Sequence, residues 1–483
     1  MARLHVVPAP EPSATGWIGL PNGSHGTLFG GFMSRTSARS SRDANDLYRA
    51  VWRWHFYAGL IAIPFLILLA VTGGLYLFKD EIDQWLNADI VRVEAQSSAA
   101  VSPQQQLDAA MAAHPGEAFR YVPPAASNLA AEVDITTADG KQAVYVDPYT
   151  GEVTGTIPYR GSVMWIVRTI HSLNYFGETA SLIIEIVGGW SILLVLTGIY
   201  LWWPRGRRGG VMSVRATPAK RIFWRDLHAV TGVFVGGFIL FLAITGMPWS
   251  TVWGSKVNEL ANGHNFGYPD GVRVNVPVSD ERLAERETTT WSLEQARLPE
   301  STPGREGAPG IGLNGAVAEF DELGLAPGYG VNLPSSPTGV YTGSIYPDDL
   351  SRQRVVHLDR YSGEPLLDMN YADYGPLGKS LEWGINVHMG QQYGLANQLI
   401  LALACAGIVL LCVSSGVMWW KRRPSGKLGI PPEPKDPRRL RGVLALLAIG
   451  GVIFPLVGAS MIVMAVVDAL VRRRGARRAA TTA

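Results

Sequence analysis

Apolar and polar positions fall into blocks along the chain. One apolar block, Phe56 to Phe78, runs 23 residues without a charge and is introduced by Trp52-Arg53-Trp54-His55. A run of that length spans a bilayer as a helix. Similar blocks predict spans over about 54–78, 180–203, 227–252, 396–420 and 442–470. Between them the pattern shortens. Ser102 to His114 places Leu107, Ala110 and Met111 at helical spacing behind Pro103, a residue suited to a first turn. Ala131 to Thr137 alternates as a strand, Ala138-Asp139-Gly140-Lys141 reads as a hairpin turn, and Ala143 to Val146 resumes the strand. A second turn follows at Asp147-Pro148-Tyr149-Thr150-Gly151-Glu152, and its pattern recurs at Val355-Val356-His357-Leu358-Asp359-Arg360-Tyr361-Ser362-Gly363-Glu364. Between 291 and 350 the chain is loop-rich, with glycine and proline clusters at 303–314 and 326–338, and regular structure is not expected throughout it. Residues 1 to about 45 are rich in Gly, Ser, Pro and Arg, lack the apolar core of a signal peptide, and read as a disordered arm.

The apolar blocks repeat in detail. Trp224-Arg225-Asp226-Leu227-His228 again sets a histidine at the mouth of an apolar run, with Gly232 placed as Gly59 is after His55. Thr72-Gly73 and Thr245-Gly246 lie 17 and 18 residues past those histidines, and His171 and His388 precede Trp202-Trp203 and Trp419-Trp420 by 31 and 32 residues. The expectation is two parallel copies of a two-helix repeat about an axis along the membrane normal.

With 483 residues, 47% of them hydrophobic and 17% charged, the class is a polytopic membrane protein, mainly α, with extramembrane domains. The formal charge of +2 says little, because charge is segregated by loop. The link 204–225 carries seven Lys/Arg and no acid, 421–441 carries eight against two, and 79–162 carries five against twelve acids. The positive-inside rule then makes the N-terminus and both links cytoplasmic. The expected order is an arm (1–47), a first span (48–79), an outer module (80–162), an interfacial segment with the second span (163–203), a basic link (204–225) and a third span (226–253). A second outer segment (254–380), an interfacial segment with the fourth span (381–420), a link (421–441), a fifth span (442–470) and a basic tail (471–483) complete it. Arg472-Arg473-Arg474 and Arg477-Arg478 resist this topology, since one fifth span would leave them outside. A re-entrant hairpin broken at Pro455 is the alternative, but halves of roughly 14 residues are too short to cross, which favours a single span. Cys405 and Cys412, seven apart on a helix, sit about 10 Å from each other, beyond disulfide reach.

Four of the nine histidines stand at the ends of the repeated spans, His55 and His228 at the inner face and His171 and His388 at the outer. Each pair is symmetry-related, so a haem near the axis would take one imidazole from each half, two haems in all. Lone histidines in such places are more often interfacial; two symmetric pairs argue otherwise. No Cys-x-x-Cys-His occurs, so such haems are of the b type, held by coordination alone. Arg225 and Arg168 each precede a histidine by three, on one helical face. With Arg53 they are candidate propionate partners, although Arg53 and Arg225 also suit a cytoplasmic flank. Glu185, inside an apolar run, is a candidate to accept a proton or pair with a cation, or else a group snorkelling to the interface. Met389 is a weaker alternative ligand, and His357 reads as an ordinary strand residue.

The Trp-Arg-x-His opening, the Val-Tyr-Val-Asp-Pro-Tyr-Thr-Gly-Glu hairpin, Ile170-His171-Ser172-Leu173, Leu227-His228-x-x-x-Gly232 and the double tryptophans together resemble the PepSY-associated transmembrane family over roughly 48–470. That family includes iron-regulated proteins and ferric-siderophore reductases of the bacterial inner membrane. The resemblance implies periplasmic α+β PepSY-like modules on a di-haem core that passes electrons to a ferric siderophore. The long N-terminal arm and glycine-rich second outer segment depart from the pattern. No nucleotide fingerprint or flavin domain is evident, so the donor would be a membrane quinol or a cytoplasmic reductase; no nucleic-acid partner is expected. The rival reading is a PepSY module that binds a peptide or protease on a passive membrane anchor.

The charge pattern has a direct test. A reporter active only in the periplasm is expected to work when fused near Gly140 or Gly312 and to stay silent near Gly209 or Gly429; activity at Gly209 would invert the topology.

Overall fold

The computed structural model describes residues 30–205, 209–262, 266–268, 278–282, 297–302 and 309–481. Residues 1–29 of the expected arm lie outside these. The first helix, α1 (Gly30–Tyr76), reaches back well beyond the span itself. Residues 30–47 are therefore helical and not part of a disordered arm; no proline interrupts the chain between Pro21 and Pro64. After α1 come α2 (Lys79–Leu86), α3 (Ala88–Val91) and α4 (Pro103–Ala113). The last starts in a capping box, with Ser102 accepting from the Gln105 N–H and the Gln105 side chain accepting from the Ser102 N–H. A four-stranded meander follows as β1 (Glu117–Val122), β2 (Ala131–Thr137), β3 (Gly140–Val146) and β4 (Val153–Pro158). Then come α5 (Val163–His171), α6 (Glu178–Trp202), α7 (Arg221–Gly246), α8 (Val252–Ala261) and a small pair, β5 (Val278–Arg282) and β6 (Arg297–Pro299). A second helix and meander comprise α9 (Gly312–Glu322), β7 (Gly330–Asn332), β8 (Val340–Ile345), β9 (Arg354–Asp359) and β10 (Pro365–Asn370). The chain closes with α10 (Pro376–His388), α11 (Gly394–Arg422), α12 (Pro437–Ile453) and α13 (Pro455–Thr481).

Among the described residues, four helices are long and apolar enough to cross a membrane: Asp46–Tyr76, Glu178–Trp202, Arg221–Trp249 and Gly394–Arg422. They pack in a ring in which α1 touches α6 and α11, and α7 touches the same two. Apolar side chains such as Ile61, Leu196, Phe234 and Leu403 point out of the ring, as a lipid-facing surface requires.

The outer segments merge into one antiparallel sheet of order β10-β9-β8-β7-β1-β2-β3-β4, joined at its middle by Arg120↔Asn332 and Tyr121↔Val331. Helices α4 and α9 cover one face, burying Leu107, Ala110, Val133, Phe320 and Val356 in a single core. Both predicted turns form: the Asp147 carboxylate accepts from the Tyr149 N–H and Asp359 from the Tyr361 N–H, each at 2.7 Å, with Gly151 and Gly363 in the left-handed region. The loop-rich stretch contains α9, β7 and β8, none of which was placed from the sequence. Its glycines hid them: Gly312 (φ 68°) and Gly324 (φ 74°) bracket α9, so the composition that reads as loop supplies the helix ends.

The expected fifth span is corrected. Helix α12 stops at a bend at Phe454, and α13 doubles back, with a Cβ built on Gly451 falling 2.7 Å from the Gly458 Cα. In a straight helix those residues would stand about 10 Å apart. Leu444 and Leu447 of α12 and Met461 and Met464 of α13 then join one cluster with Ala50, Val51 and Trp54 of α1. Pro455 cannot continue the ladder of α12, and the glycines let the arms cross in contact. The arginine-rich tail thus heads back toward the end of the bundle that carries the basic links. A cysteine-free reporter fused after residue 470 should respond as one near Gly429 does. Gly451→Leu or Gly458→Leu should lower the detergent melting temperature, since overpacking of this kind costs about 1–3 kcal/mol.

Candidate haem-binding site

Three of the four histidines rest on threonine hydroxyls from a neighbouring helix. His171 Nδ1 lies 2.8 Å from Thr72 Oγ1, His388 Nδ1 2.9 Å from Thr245 Oγ1, and His55 Nδ1 2.8 Å from Thr197 Oγ1. Each hydroxyl already donates its proton to the carbonyl four residues back, Leu68, Phe241 and Leu193 respectively, all at 2.7 Å. The threonine oxygen is left as an acceptor, so Nδ1 carries the ring proton and Nε2 keeps its lone pair. His228 reaches the same tautomer differently, its Nδ1 lying 3.2 Å from the Leu411 carbonyl, which can only accept. That carbonyl also accepts from Ser414 at 2.9 Å.

A glycine follows each of these threonines, and it makes room for the ring. A Cβ on Gly73, Gly246 or Gly198 would stand 3.2, 3.3 or 3.4 Å from Cε1 of His171, His388 or His55. The Thr-Gly pair is thus the seat of an imidazole. Spacing in the sequence singles out Thr72-Gly73 and Thr245-Gly246 but not Thr197-Gly198, because the residues at the matching place in the other half are Ser414-Ser415.

The histidines meet in two pairs. His55 and His228 sit on diagonal helices of the ring, α1 leaning on α6 and α7 leaning on α11. His171 and His388 end α5 and α10 and lean on α1 and α7. The two levels are separated by 17 residues of α1 between His55 and Thr72, about 25 Å along the axis. Burial pushes His171 down to about 4 and His388 to about 3, His388 being lowered further by His171, so both are neutral near pH 7. All four rings are enclosed yet keep some accessible surface.

For the outer pair that surface faces a cavity of about 330 Å³. Its lining is largely apolar, with Leu66, Leu69, Ala70, Ile239 and Leu242, and includes Arg168, Asn174, Ser181, Glu185 and Thr251 as polar groups. Two neutral imidazoles are half of a tetrahedral zinc set but the complete axial set of a haem, and an apolar lining with the Arg168 guanidinium in it suits a flat group with an apolar body and charged propionates. The residues fit haem b.

The other candidates separate. Arg168 lines the cavity, its guanidinium 4.7 Å over Trp165 and 5.9 Å over Trp249. Arg53 instead donates to the Pro431 carbonyl at 2.7 Å and lies 3.4 Å from Glu433. Arg225 is held by the buried Asp226 at 2.9 Å, which Arg215 also grips at 2.8 Å. Arg53 and Arg215 fasten the basic links, as do Trp202 and Trp419, whose ring N–H groups donate to the Val211 and Leu428 carbonyls at 2.9 Å. Glu185 neither snorkels nor meets a cation there. It is 1% exposed and accepts from the Val252 and Trp253 N–H groups at 2.8 and 3.2 Å, capping the N-terminus of α8. Met389 packs against the cluster beneath α8 and α10, and His357 is buried in the sheet against Thr342.

Because α8 depends on that carboxylate, Glu185→Ala should cost about 1–3 kcal/mol and lower the melting temperature, with Glu185→Gln intermediate. Equal melting of all three proteins would show that the cap contributes nothing.

Comparison with individual curated proteins gives no match. A family model described as the PepSY-associated TM region matches residues 52–422, which takes in all four histidines, the four long helices and the joined sheet. The chain is therefore a membrane protein of the PepSY-associated transmembrane family.

Proposed function

We propose that this protein is an inner-membrane electron carrier with two b-type haems that reduces a ferric siderophore in the periplasm. The observation that carries the reading is the common state of the four histidines: each is fixed through Nδ1 and offers a bare Nε2, and His171 and His388 line one cavity. His55 and His228 would hold the inner haem, His171 and His388 the outer, with Arg168 beside the outer propionates. Bound there, haem iron supplies a one-electron ferric/ferrous couple. The chain's own residues do the rest: threonines and the Leu411 carbonyl fix the ligand tautomer, and glycines admit the rings. A chelated Fe(III) that gains one electron becomes Fe(II), which the chelator holds less tightly. The donor is a membrane quinol or a cytoplasmic reductase. Basic links on one end and the sheet on the other support a cytoplasmic N-terminus with the sheet in the periplasm. Matching contacts of α1, α5 and α6 with those of α7, α10 and α11 support an internal duplication.

Fully loaded protein should show two low-spin haems per chain by pyridine haemochromogen assay. His171→Ala or His388→Ala should remove the outer haem, leave a donor-reducible inner one and stop ferric-siderophore reduction. His55→Ala or His228→Ala should leave an outer haem that only artificial reductants reach. A purified chain without a Soret band would favour the passive anchor with a peptide-binding PepSY module. The threonines have their own test: Thr245→Val should weaken haem retention roughly ten-fold or more while Thr245→Ser keeps it, as outer partners of metal ligands generally do.

A further inference from the structure

Cations and aromatic rings alternate in an unbroken file from the sheet to the outer cavity. It begins at Phe119, at the irregularity of β1 where pairing with β2 shifts between Ala118 and Arg120. Such a bulge re-aims a side chain, and Phe119 meets Tyr159 edge-on with ring centres 5.3 Å apart. Lys141 Nζ stands 4.5 Å from the Phe119 ring centre and 5.9 Å from that of Tyr159. The Arg160 guanidinium is 5.2 Å from the Tyr159 ring and 4.7 Å from Trp165, and Arg168 continues from Trp165 to Trp249 on the cavity wall. Arg160 adopts φ 60°, a conformation L residues rarely take, and it does so between two rings of the file. Every member keeps exposed surface.

The file is short of anions. On the same sheet face Arg120 is held by Glu132 at 3.3 Å and by Asp134 at 3.0 Å, and Asp134 also feels Arg160, though from beyond ion-pair distance. Among the described residues, Lys141, Arg160 and Arg168 have no carboxylate within ion-pair distance, and successive cations share a ring, Tyr159 between Lys141 and Arg160 and Trp165 between Arg160 and Arg168. The corresponding face of the other meander carries no such file, because Val340, Val355, Leu367 and Met369 pack there against α8 and α10.

We propose that this file is the track on which substrate docks beside the outer haem site, and that the substrate is an anionic ferric chelate with aromatic oxygen donors, phenolate or catecholate. The proposal rests on reading the outer cavity as the electron-donating site. The cations answer the chelate's charge and the rings answer its planar donors; a neutral trihydroxamate offers neither feature. Strand β4 is an edge, but α3 lies against it and Thr154 Oγ1 donates to the Ile90 carbonyl at 2.6 Å, which disfavours a peptide added as a further strand. Lipid headgroups would reach Arg168 and Trp249 at the bundle, whereas Phe119 and Lys141 stand on the sheet.

Gallium(III) complexes test binding without electron transfer, since gallium carries the charge of ferric iron and is not reduced by haem. With the full chain in detergent, tryptophan quenching should show tris(catecholato)gallate binding at least ten-fold more tightly than neutral tris(acetohydroxamato)gallium. Lys141→Gln, Arg160→Gln and Phe119→Leu should each weaken it about five-fold with haem spectra unchanged. Equal affinity for the neutral complex, or unchanged affinity in all three variants, overturns the track. Binding should also persist in nanodiscs of anionic lipid; its loss there would assign the cations to headgroups and overturn it equally. A chain that binds the gallate but no haem would refute the proposed function and spare the track, whereas a di-haem reductase with indifferent variants would do the reverse.

Discussion

A threonine hydroxyl inside a helix has one proton and a carbonyl four residues back to receive it. Once that bond is made, the oxygen can only accept, and whatever imidazole leans on it must bring its proton to Nδ1. Thr72, Thr197 and Thr245 impose this on three histidines of the bundle, and the Leu411 carbonyl imposes it on the fourth. In an apolar interior an imidazole N–H without a partner would cost several kcal/mol at most and roughly 1–3 in practice, so the tautomer is fixed by the surroundings and survives with or without a ligand at Nε2. The helix ring, the glycines beside the threonines and the approach of α5 and α10 all serve to bring four rings onto these four acceptors.

Much of this was legible because helical geometry writes itself into spacing. The equal intervals from His55 to Thr72 and from His228 to Thr245 locate two seats, although not which histidines occupy them: His171 and His388 do, arriving from α5 and α10. Contacts between helices leave no such trace, so Thr197 as partner of His55 was out of reach, as was Glu185 as the cap of α8 some 67 residues away. Strand alternation placed β2 to the residue, whereas α9 was lost because its bracketing glycines are the same residues that punctuate loops. Hydropathy alone does not separate one long crossing from two short arms; the charge of the tail did carry the answer at α12 and α13, against the length argument.

The two sides of the molecule agree in backbone and differ in chemistry. Where Asp226 receives Arg215 from one basic link, the residue at the matching distance before His55 is Arg53, which donates to the other link at Pro431. The same clasp is therefore made with opposite charge. The sheet behaves likewise: one meander turns an apolar face to α8 and α10, and the other turns a charged and aromatic face to α5. Matching architecture thus frames a site that exists on one side only, and it is the mismatched residues that give the molecule a direction.

The hairpin of α12 and α13 adds an asymmetry of a different kind. It lies against α1 and α6, with Trp190 donating to Ser460 at 2.9 Å and Gly189 pressed by Val457, while Leu399, Leu403 and Leu410 of α11 remain bare on the opposite flank. A small hydrophobic molecule diffusing in the plane of the bilayer therefore meets a wall two layers thick on one flank and a single layer of helix on the other. Lateral access to the histidine levels is handed: the protein has a shuttered side and an open one, although nothing in its helix count would announce it.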